Sequence, residues 1–314
     1  MLDGIRNAVI IHNPAAGGRR SRRTRQLEQA RKILARAGIE SELQATTGMG
    51  TATGLARLAV EERRQLVIIC GGDGTVNEAV NGLVGSQVPL AVLPAGTANV
   101  LAKELGIPWD IPRAAEWVLR GTRARIALGV ATPLREPALR RFFLCVAGAG
   151  TDARMVYSVS WALKQRAGIL AYWFEAFRQL FLYDFPRFRA SANGRELEAT
   201  LVIVGRTKHY GGPFRITTGA DLFEDGFELA ACTTRSGLRY LTYVPIIWLG
   251  QLRRMRDVHF LKATRLRCEP LDNRPIYAQV DGEVAGQLPI EFSIEPDALT
   301  LVVPTERRTL HSPG

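Results

Sequence analysis

The sequence predicts two domains of different class, a layered α/β domain with a parallel sheet and, after it, a mostly β domain. Over the first third of the 314 residues, short apolar runs alternate with helix-like stretches, which is typical of parallel strands joined by helices. Beyond about residue 124, strand-like runs separated by turns dominate. We therefore expect an α/β domain over residues 1–125 and a β-rich domain over residues 126–295, with the tail at about 296–314 able to return to the first domain.

Strand and helix alternate in order along the first domain. Strands are predicted over residues 7–11, 39–44, 65–70 and 88–93, and helices over residues 24–37, 53–63, 76–84 and 100–105. The run at 65–70 is continuously apolar after its first residue, which indicates a strand covered on both faces. Gly38 ends the first predicted helix.

The second domain combines short strands with two unusual helix-like stretches. Strands are predicted over residues 125–130, 142–146, 197–205, 227–231 and 277–280. The stretches at 157–182 and 239–256 are helix-like, aromatic and basic, so they are either interfacial membrane helices or helices packed on the sheet of this domain. The aromatic residues considered for exposure are Trp173, Phe177, Phe181 and Trp248, the last followed by Arg253, Arg254 and Arg256.

The charge balance favours an anionic partner. Lys and Arg number 41 against 30 Asp and Glu, a net charge of +11, which favours nucleic acid, a phosphate-bearing ligand or an anionic membrane. Residues 19–25 hold five arginines, which form either a solvated helix start or an aid to recruiting ATP or an anionic surface. Few aromatic residues flank this run, so nucleic-acid binding is not indicated.

Several classes of protein are excluded by residue patterns. The four cysteines lack the CxxC spacing of a metal site, and the four histidines form neither a ligand spacing nor a hydrolase triad. The N-terminal apolar run is too short for a signal peptide, and residues 241–252 are too few to span a bilayer. We therefore expect a cytoplasmic chain without a membrane-spanning segment.

The sharpest local signal is the glycine-rich turn at residues 71–75, GGDGT, between a buried strand and a helix. Such a turn brings backbone N–H groups and the positive end of a helix dipole to one point, which suits a phosphate. Asp73 would be repelled by bound phosphates unless a divalent cation lay between them, so it indicates Mg²⁺ with a nucleotide. Asp73 could also cap the following helix, and the two uses can coexist.

Two further turns of small and polar residues follow other predicted strands, at residues 13–18 (NPAAGG) and 96–99 (GTAN). Because ligands of open α/β sheets bind at the carboxyl ends of the strands, we expect the three turns to converge there.

These motifs, in this order, resemble the diacylglycerol kinase catalytic-domain family, which includes bacterial soluble lipid kinases and sphingosine kinases. The motifs that carry the resemblance are NPAAGG at 13–18, GGDGT at 71–75 with Asn77 and Glu78, LPAGTAN at 93–99, AGAGTD at 147–152, YGGP at 210–213, DG at 225–226 and DGE at 281–283. They cover nearly the whole chain.

The resemblance implies an N-terminal α/β domain like that of NAD kinases and phosphofructokinases, a C-terminal β-sandwich, and ATP held between them. The residues that it implies for nucleotide contact are Asn13, Pro14, Ala15, Ala16, Gly17, Thr46 or Thr47, Gly72, Asp73, Gly74, Thr75, Val76, Asn77, Glu78, Gly96, Thr97 and Asn99. Asp73 is also expected to act in catalysis by positioning Mg²⁺.

The pair Asp281 and Glu283 flanks a glycine. In an extended segment the two carboxylates would point the same way and suit removal of a proton from a hydroxyl, whereas in a β-turn they would be solvated acids. The resemblance implies that this motif carries the catalytic base.

The resemblance also implies a structural Mg²⁺ held by Asp225 and backbone carbonyls, with Leu222 and Phe227 in the site. Leu222 offers no side-chain ligand, so Asp221 or Glu224 would have to substitute for one. Two more departures from the family pattern are Val100, where many bacterial members have Asp, and the missing aromatic residue before Asp152.

The sequence thus predicts an ATP-dependent and Mg²⁺-dependent lipid kinase, peripheral to the inner face of the membrane, that acts on diacylglycerol or a sphingoid-like lipid. An NAD kinase-like phosphotransferase and a catalytically silent membrane-binding protein on the same fold are the alternatives. The sequence leaves open whether two copies pair as a homodimer.

Overall fold

A computed structural model describes residues 2, 4–17, 20–151, 153 and 184–305. Contacts divide the chain into a first unit, Met1–Leu128 with Glu295–Gly314, and a second unit, Gly129–Ile294. Several sequence predictions lie outside the described residues. They concern Gly18, Arg19, Asp152 and the stretch 157–182 with Trp173, Phe177 and Phe181.

The first unit alternates strands and helices as the sequence predicts. Its elements are β1 (Asn7–His12), α1 (Arg20–Arg36), β2 (Glu40–Ala45), α2 (Thr51–Glu61), β3 (Leu66–Gly71), α3 (Asp73–Leu83), β4 (Leu90–Pro94), α4 (Val100–Leu105) and α5 (Ile111–Arg120). Two longer strands, β5 (Thr122–Pro133) and β18 (Ile290–Val303), each belong partly to both units.

The sheet of the first unit has the strand order β2-β1-β3-β4-β18. The pairs among these strands are all parallel, including that of β18 with β4 at Leu301 and Leu90. Every residue of β3 and β4 is buried, because helices that connect parallel strands cover both faces of the sheet. The α/β fold class is confirmed, and the carboxyl ends of β1, β3 and β4 lie along one edge.

Helix α5 is a helix of this unit that the sequence analysis missed. Its signal is the Asp110 side chain, which accepts a hydrogen bond from the N–H of Arg113 at 3.2 Å. A proline at the start of the helix, Pro112, adds a second start signal because its missing N–H would have no partner there.

The second unit is mostly β-structure. Its strands are β6 (Arg141–Phe143), β7 (Val146–Gly150), β8 (Phe188–Ala192), β9 (Arg195–Ala199), β10 (Leu201–Gly205), β11 (His209–Tyr210), β12 (Phe214–Arg215), β13 (Phe227–Cys232), β14 (Val258–Ala263), β15 (Arg265–Pro270), β16 (Tyr277–Val280) and β17 (Glu283–Gln287). One α-helix among the described residues, α6 (Gly237–Trp248), follows β13.

Two antiparallel sheets of the second unit share one core. One sheet has the order β14-β13-β10-β7-β16-β17, and the other includes β18, β15, β8 and β9. Side chains from both sheets join a single buried cluster, for example Ala147 and Val204 from the first and Phe188 and Phe292 from the second. This packing of two sheets face to face confirms the predicted β-sandwich.

The four cysteines are free thiols, and all are buried. Burial raises the pKa of the Cys70 and Cys232 thiols to about 12, so both remain protonated near neutral pH. Within the described residues, no helix combines the length and the apolar character that a membrane span requires.

Candidate active site

The turn between β3 and α3 contains Gly71, Gly72 and Asp73 and lies against the turn that follows β4. A Cβ atom built on Gly96 would lie 2.5 Å from the Cα of Gly72, so the two turns touch through their main chains. Only glycine at position 96 permits this approach, since a contact of 2.5 Å is shorter than any side chain tolerates.

Asp73 joins the same two turns through its carboxylate. It is the first residue of α3, and its Oδ1 accepts a hydrogen bond of 2.6 Å from the backbone N–H of Val100, the first residue of α4. The residue at the N-cap of α3 is Gly72, which has no side chain with which to cap the helix. The expected capping role is therefore found, but for α4 and not for the helix that Asp73 begins.

The three turns are numbered in chain order: the first begins at residue 13, the second is residues 71–75, and the third follows β4. Asn13, directly after β1, connects the first turn to the second. Its backbone N–H donates to the Cys70 carbonyl at 3.0 Å, and its side-chain Nδ2 donates to Thr75 Oγ1 at 3.3 Å. Its Oδ1 accepts the N–H of Ala15 at 2.9 Å, which closes the turn.

Arg23, in α1, connects the first turn to the third. Its Nη2 donates to the carbonyl oxygen of Gly17 and, at 3.3 Å, to that of Ala95. The sequence marked this residue only as part of a basic run, because its partners lie 6 and 72 residues away. The three turns therefore converge at the carboxyl edge of the sheet, as the sequence predicts.

Asn99 fixes the shape of the third turn. Its Oδ1 accepts the Gly96 N–H and its Nδ2 donates to the Gly96 carbonyl, both at 2.9 Å, and it has a left-handed backbone with φ of 45°. Asparagine tolerates this conformation better than most residues. The neighbouring Thr97 hydroxyl is on an exposed residue.

Three further residues that the resemblance implies for nucleotide contact, Glu78, Asn77 and Thr46, hold helices and strands together. Glu78 Oε2 accepts the N–H of Ala52 at 3.1 Å, which caps the start of α2. Asn77 is fully buried and accepts a hydrogen bond from Asn81, and the N–H of Thr46 donates to the His12 carbonyl at 2.9 Å.

Cationic side chains surround this edge. Burial lowers the pKa of Lys103, whereas the Asp73 carboxylate acts in the opposite direction, which indicates that the two charges interact. Burial also lowers the pKa of His12, and the Arg23 guanidinium lowers it further, so His12 is neutral at physiological pH. Two fixed cations and one carboxylate suit an anionic ligand that carries its own metal ion.

In the second unit, Asp281 and Gly282 form the two-residue turn between β16 and β17. Their φ angles are 45° and 85°, the left-handed values of a type I′ hairpin turn. Of the two alternatives left open by the sequence, the structure therefore has the β-turn and not the extended segment, because the hairpin needs both central residues in the left-handed region.

The two carboxylates of this hairpin have different partners. Asp281 accepts backbone N–H groups from Leu144 at 2.8 Å, Cys145 at 3.0 Å and Val146 at 2.8 Å, so both of its oxygens hold the preceding loop. Glu283 pairs instead with the guanidinium of Arg141 at 2.5 Å and keeps about a fifth of its side chain exposed (21%). No sequence pattern indicated Arg141, because it lies 142 residues from Glu283 along the chain.

The expected metal ligands Asp225, Leu222 and Phe227 do not form a divalent metal site. The carbonyl oxygens of this loop already accept hydrogen bonds from Arg206, at Leu222 (2.7 Å), Glu224 (3.2 Å) and Gly226 (2.9 Å). No group of three or more acidic, histidine or cysteine side chains within the described residues could hold a metal ion. The residues present therefore do not fit the structural Mg²⁺ that the resemblance implies.

A groove of about 850 Å³ lies elsewhere, at the amino ends of β1 and β2. Paired charges line it, among them Arg31 with Glu28 and Arg64 with Glu42. It is on the edge of the sheet away from the three turns, so it is not part of the candidate site.

Comparison with known proteins identifies the family of the chain. The profile described as "Diacylglycerol kinase catalytic domain" matches residues 7–131, and that of the "YegS C-terminal NAD kinase beta sandwich-like domain" matches residues 145–303. The diacylglycerol kinase of Bacillus subtilis is 29% identical over 308 residues, covering 96% of this chain and 98% of its own. That of Staphylococcus aureus (strain bovine RF122) is 30% identical over 292 residues, covering 91% and 89%.

The fold is shared with a crystal structure of a diacylglycerol kinase from Bacillus anthracis. Its TM-score is 0.75 at 21% identity, and the match covers 97% of this chain and 99% of that one. The chain belongs to the diacylglycerol kinase catalytic-domain family. It is an enzyme of the lipid kinase class.

We predict that the hydrogen bond between Asp73 and Val100 stabilises the first unit. Asp73→Ala leaves the Val100 N–H without its acceptor and should lower the free energy of unfolding by about 1–2 kcal/mol. Asp73→Asn keeps a side-chain oxygen at the same position and should lose less than half as much. Urea denaturation of the three proteins measures both effects. An unchanged midpoint for Asp73→Ala would contradict the prediction.

Proposed function

We propose that the enzyme transfers the γ-phosphoryl group of ATP to a hydroxyl group of diacylglycerol or a sphingoid-like lipid at a membrane surface. The observation that carries this proposal is the set of three turns tied together by Asn13, Arg23 and Asp73. The relatives named above are diacylglycerol kinases, which supports diacylglycerol as the first acceptor to test.

The three turns would hold the triphosphate of ATP. The N-terminus of α3 supplies backbone N–H groups and a positive dipole end, and Arg23 and Lys103 add positive charge. Mg²⁺ bound to a nucleotide commonly uses one or two protein carboxylates together with phosphate oxygens, so the single carboxylate of Asp73 fits this metal. When bound, the metal neutralises charge on the phosphates.

Glu283 would act as the general base. The lipid hydroxyl oxygen bonds to the γ-phosphorus, the bond from that phosphorus to the bridging oxygen breaks, and ADP leaves with the electron pair. The hydroxyl proton passes to the Glu283 carboxylate. Arg141 orients this carboxylate, whereas Asp281 holds the loop before β7 through its three backbone partners.

The proposal names two classes of acceptor lipid, diacylglycerol and sphingoid bases. Val100 is an apolar, buried residue at the first position of α4, so it offers no polar group to the acceptor. Its backbone N–H serves Asp73 whatever the side chain is. Diacylglycerol and sphingoid bases are therefore both tested as acceptors.

The experiment that tests this function is the transfer of labelled γ-phosphate from Mg-ATP to a total lipid extract in mixed micelles. Diacylglycerol, a sphingoid base and NAD serve as separate acceptors, and Asp73→Asn serves as the blank. A labelled lipid that is absent from the blank supports the proposal and identifies the acceptor. Label on NAD alone would support the NAD kinase alternative, and ATP binding without any labelled product would support the silent binding protein.

We predict that Glu283→Gln lowers kcat by about 10²- to 10⁴-fold, because a neutral amide cannot accept the hydroxyl proton. Its melting temperature should stay near that of the unmodified enzyme. Glu291→Gln is the matched control, since Glu291 is also a partly exposed carboxylate paired with an arginine in the second unit. Asp281→Ala should differ from both by lowering the melting temperature, because it removes the acceptor of three backbone N–H groups. Full activity of Glu283→Gln would contradict the assignment of the base.

We further propose that α6 docks on an anionic membrane. One side of the helix buries Tyr240 and Tyr243, whereas Leu238, Trp248 and Leu249 are each about two thirds exposed (66%, 68% and 72%). Arg253, Arg254 and Arg256 follow within eight residues of the helix end and are exposed, and of these Arg253 is also paired with Glu228. Exposed apolar side chains next to arginines favour an interface with anionic lipid, at about 1 kcal/mol for each well-placed cation. The enzyme would then work peripherally at the inner face of the membrane, in the cytoplasm.

We predict that the double variant Trp248→Ser with Leu249→Ser binds vesicles of phosphatidylglycerol and phosphatidylcholine at least about tenfold more weakly, since it removes two large apolar side chains from the interface. Co-sedimentation measures the partition coefficient. Leu139→Ser is the control, because Leu139 is an exposed leucine of the same unit outside α6. Equal binding of the double variant and the control would contradict docking through α6.

A further inference from the structure

Arg206 is an unusually placed cation, because its side chain is fully buried in the second unit. It follows the last residue of β10, and its backbone N–H donates to the Cys145 carbonyl at 2.8 Å. Arginine is rarely buried completely, since removing a charge from water is costly unless hydrogen bonds and opposite charges replace the water. The partners of Arg206 therefore indicate why the residue is there.

The guanidinium of Arg206 meets three alternate carbonyl oxygens of one loop. Nη2 donates to Leu222 at 2.7 Å, and Nη1 donates to Gly226 at 2.9 Å and to Glu224 at 3.2 Å. A loop that turns several carbonyl oxygens toward one point is an arrangement that binds cations, in many proteins a divalent metal. These distances are those of hydrogen bonds, and the cation at this point is a side chain of the chain itself.

Acidic groups surround the same guanidinium. Burial lowers the pKa of Arg206 to about 10, while Asp225, Asp221 and Asp281, together with Cys145, act in the opposite direction. Arginine keeps its charge in proteins, so these acidic groups face a cation. Asp225 is the carboxylate that the family resemblance assigns to a structural metal ion, and here it interacts with the guanidinium instead.

We propose that Arg206 is an internal cation that replaces a structural divalent metal in the loop 221–226, so that the second unit folds without a bound metal ion. The replacement makes this loop independent of metal concentration, because a covalently attached cation does not dissociate. Three backbone carbonyl oxygens accept hydrogen bonds from the guanidinium, and these bonds take the place of coordination to a metal ion. The only divalent ion required by the enzyme is then the one that accompanies the nucleotide.

The same residue connects this loop to the hairpin of Glu283. The Cys145 carbonyl accepts the Arg206 N–H, and the Cys145 N–H donates to Asp281 Oδ1 at 3.0 Å. The inference concerns the second unit by itself and stands whether the acceptor is a lipid or NAD.

The first test measures metal dependence directly. Asp73→Asn protein, free of nucleotide, is dialysed against EDTA and then melted in EDTA, Mg²⁺ or Ca²⁺ at equal ionic strength, with metal content determined by mass spectrometry. The Asp73→Asn background removes the carboxylate proposed for the nucleotide metal. We expect less than about 0.1 equivalent of divalent metal and melting temperatures equal within about 1 °C. One equivalent of metal that survives dialysis, or a fall of several degrees in EDTA, would overturn the proposal.

The second test removes the internal cation. Arg206→Met keeps an unbranched side chain without the charge and donors, and should lower the melting temperature by about 10 °C. Arg206→Lys restores the charge without the forked donors and should recover part of the loss. Arg215→Met is the control, since Arg215 is an exposed arginine of β12. A melting temperature of Arg206→Met equal to that of the control would overturn the proposal, and if Arg206→Met does not fold, the metal measurement decides alone.

Discussion

Parallel strands that are covered on both faces have no contact with water along their length. The polar groups of the chain therefore lie mainly at the edge where the strands end. In the first unit, β3 and β4 bury every residue, so the chain turns polar only after Gly71 and Pro94. The backbone N–H groups of these turns and of the helices that follow need partners. The same groups are what a phosphate requires, which is why the structural need and the binding site coincide at this edge.

Carboxylates hold this architecture together by accepting backbone N–H groups. Asp73 accepts from the start of α4, Glu78 from the start of α2, and Asp281 from three successive residues before and within β7. Each is a charge-assisted hydrogen bond, which is stronger than one between neutral groups. A residue of a family motif can thus have a structural role, as Asp281 does, while a neighbouring residue carries the proposed chemistry.

Arg206 is the complementary case, a cation that satisfies carbonyl oxygens. Its three acceptors belong to one loop, and its own backbone is tied to Cys145, beside Asp281. The two kinds of contact place opposite charges next to each other inside the sandwich, and the terminal nitrogens of Arg206 carry its hydrogen bonds whereas its Nε has no partner among the described residues. Glu283, paired with Arg141, is then the carboxylate of the hairpin whose partner is a partly exposed side chain and not the main chain.

The sequence by itself determined the fold class, the order of the main elements and the three turns, because these follow from local patterns: apolar runs, glycines and their spacing. It missed α5, whose signal is a single cap at Asp110, and strands such as β8, β14 and β15, whose positions depend on pairing across the sheets. Only the tertiary structure decided which groups the charged side chains contact. Arg23 donates to the Ala95 carbonyl, 72 residues away, and Arg141 pairs with Glu283, 142 residues away. Arg206 donates to a loop that begins 16 residues away, at Leu222. Such pairs leave no periodic signal in one sequence, because they are set by the distance between folded elements and not by distance along the chain.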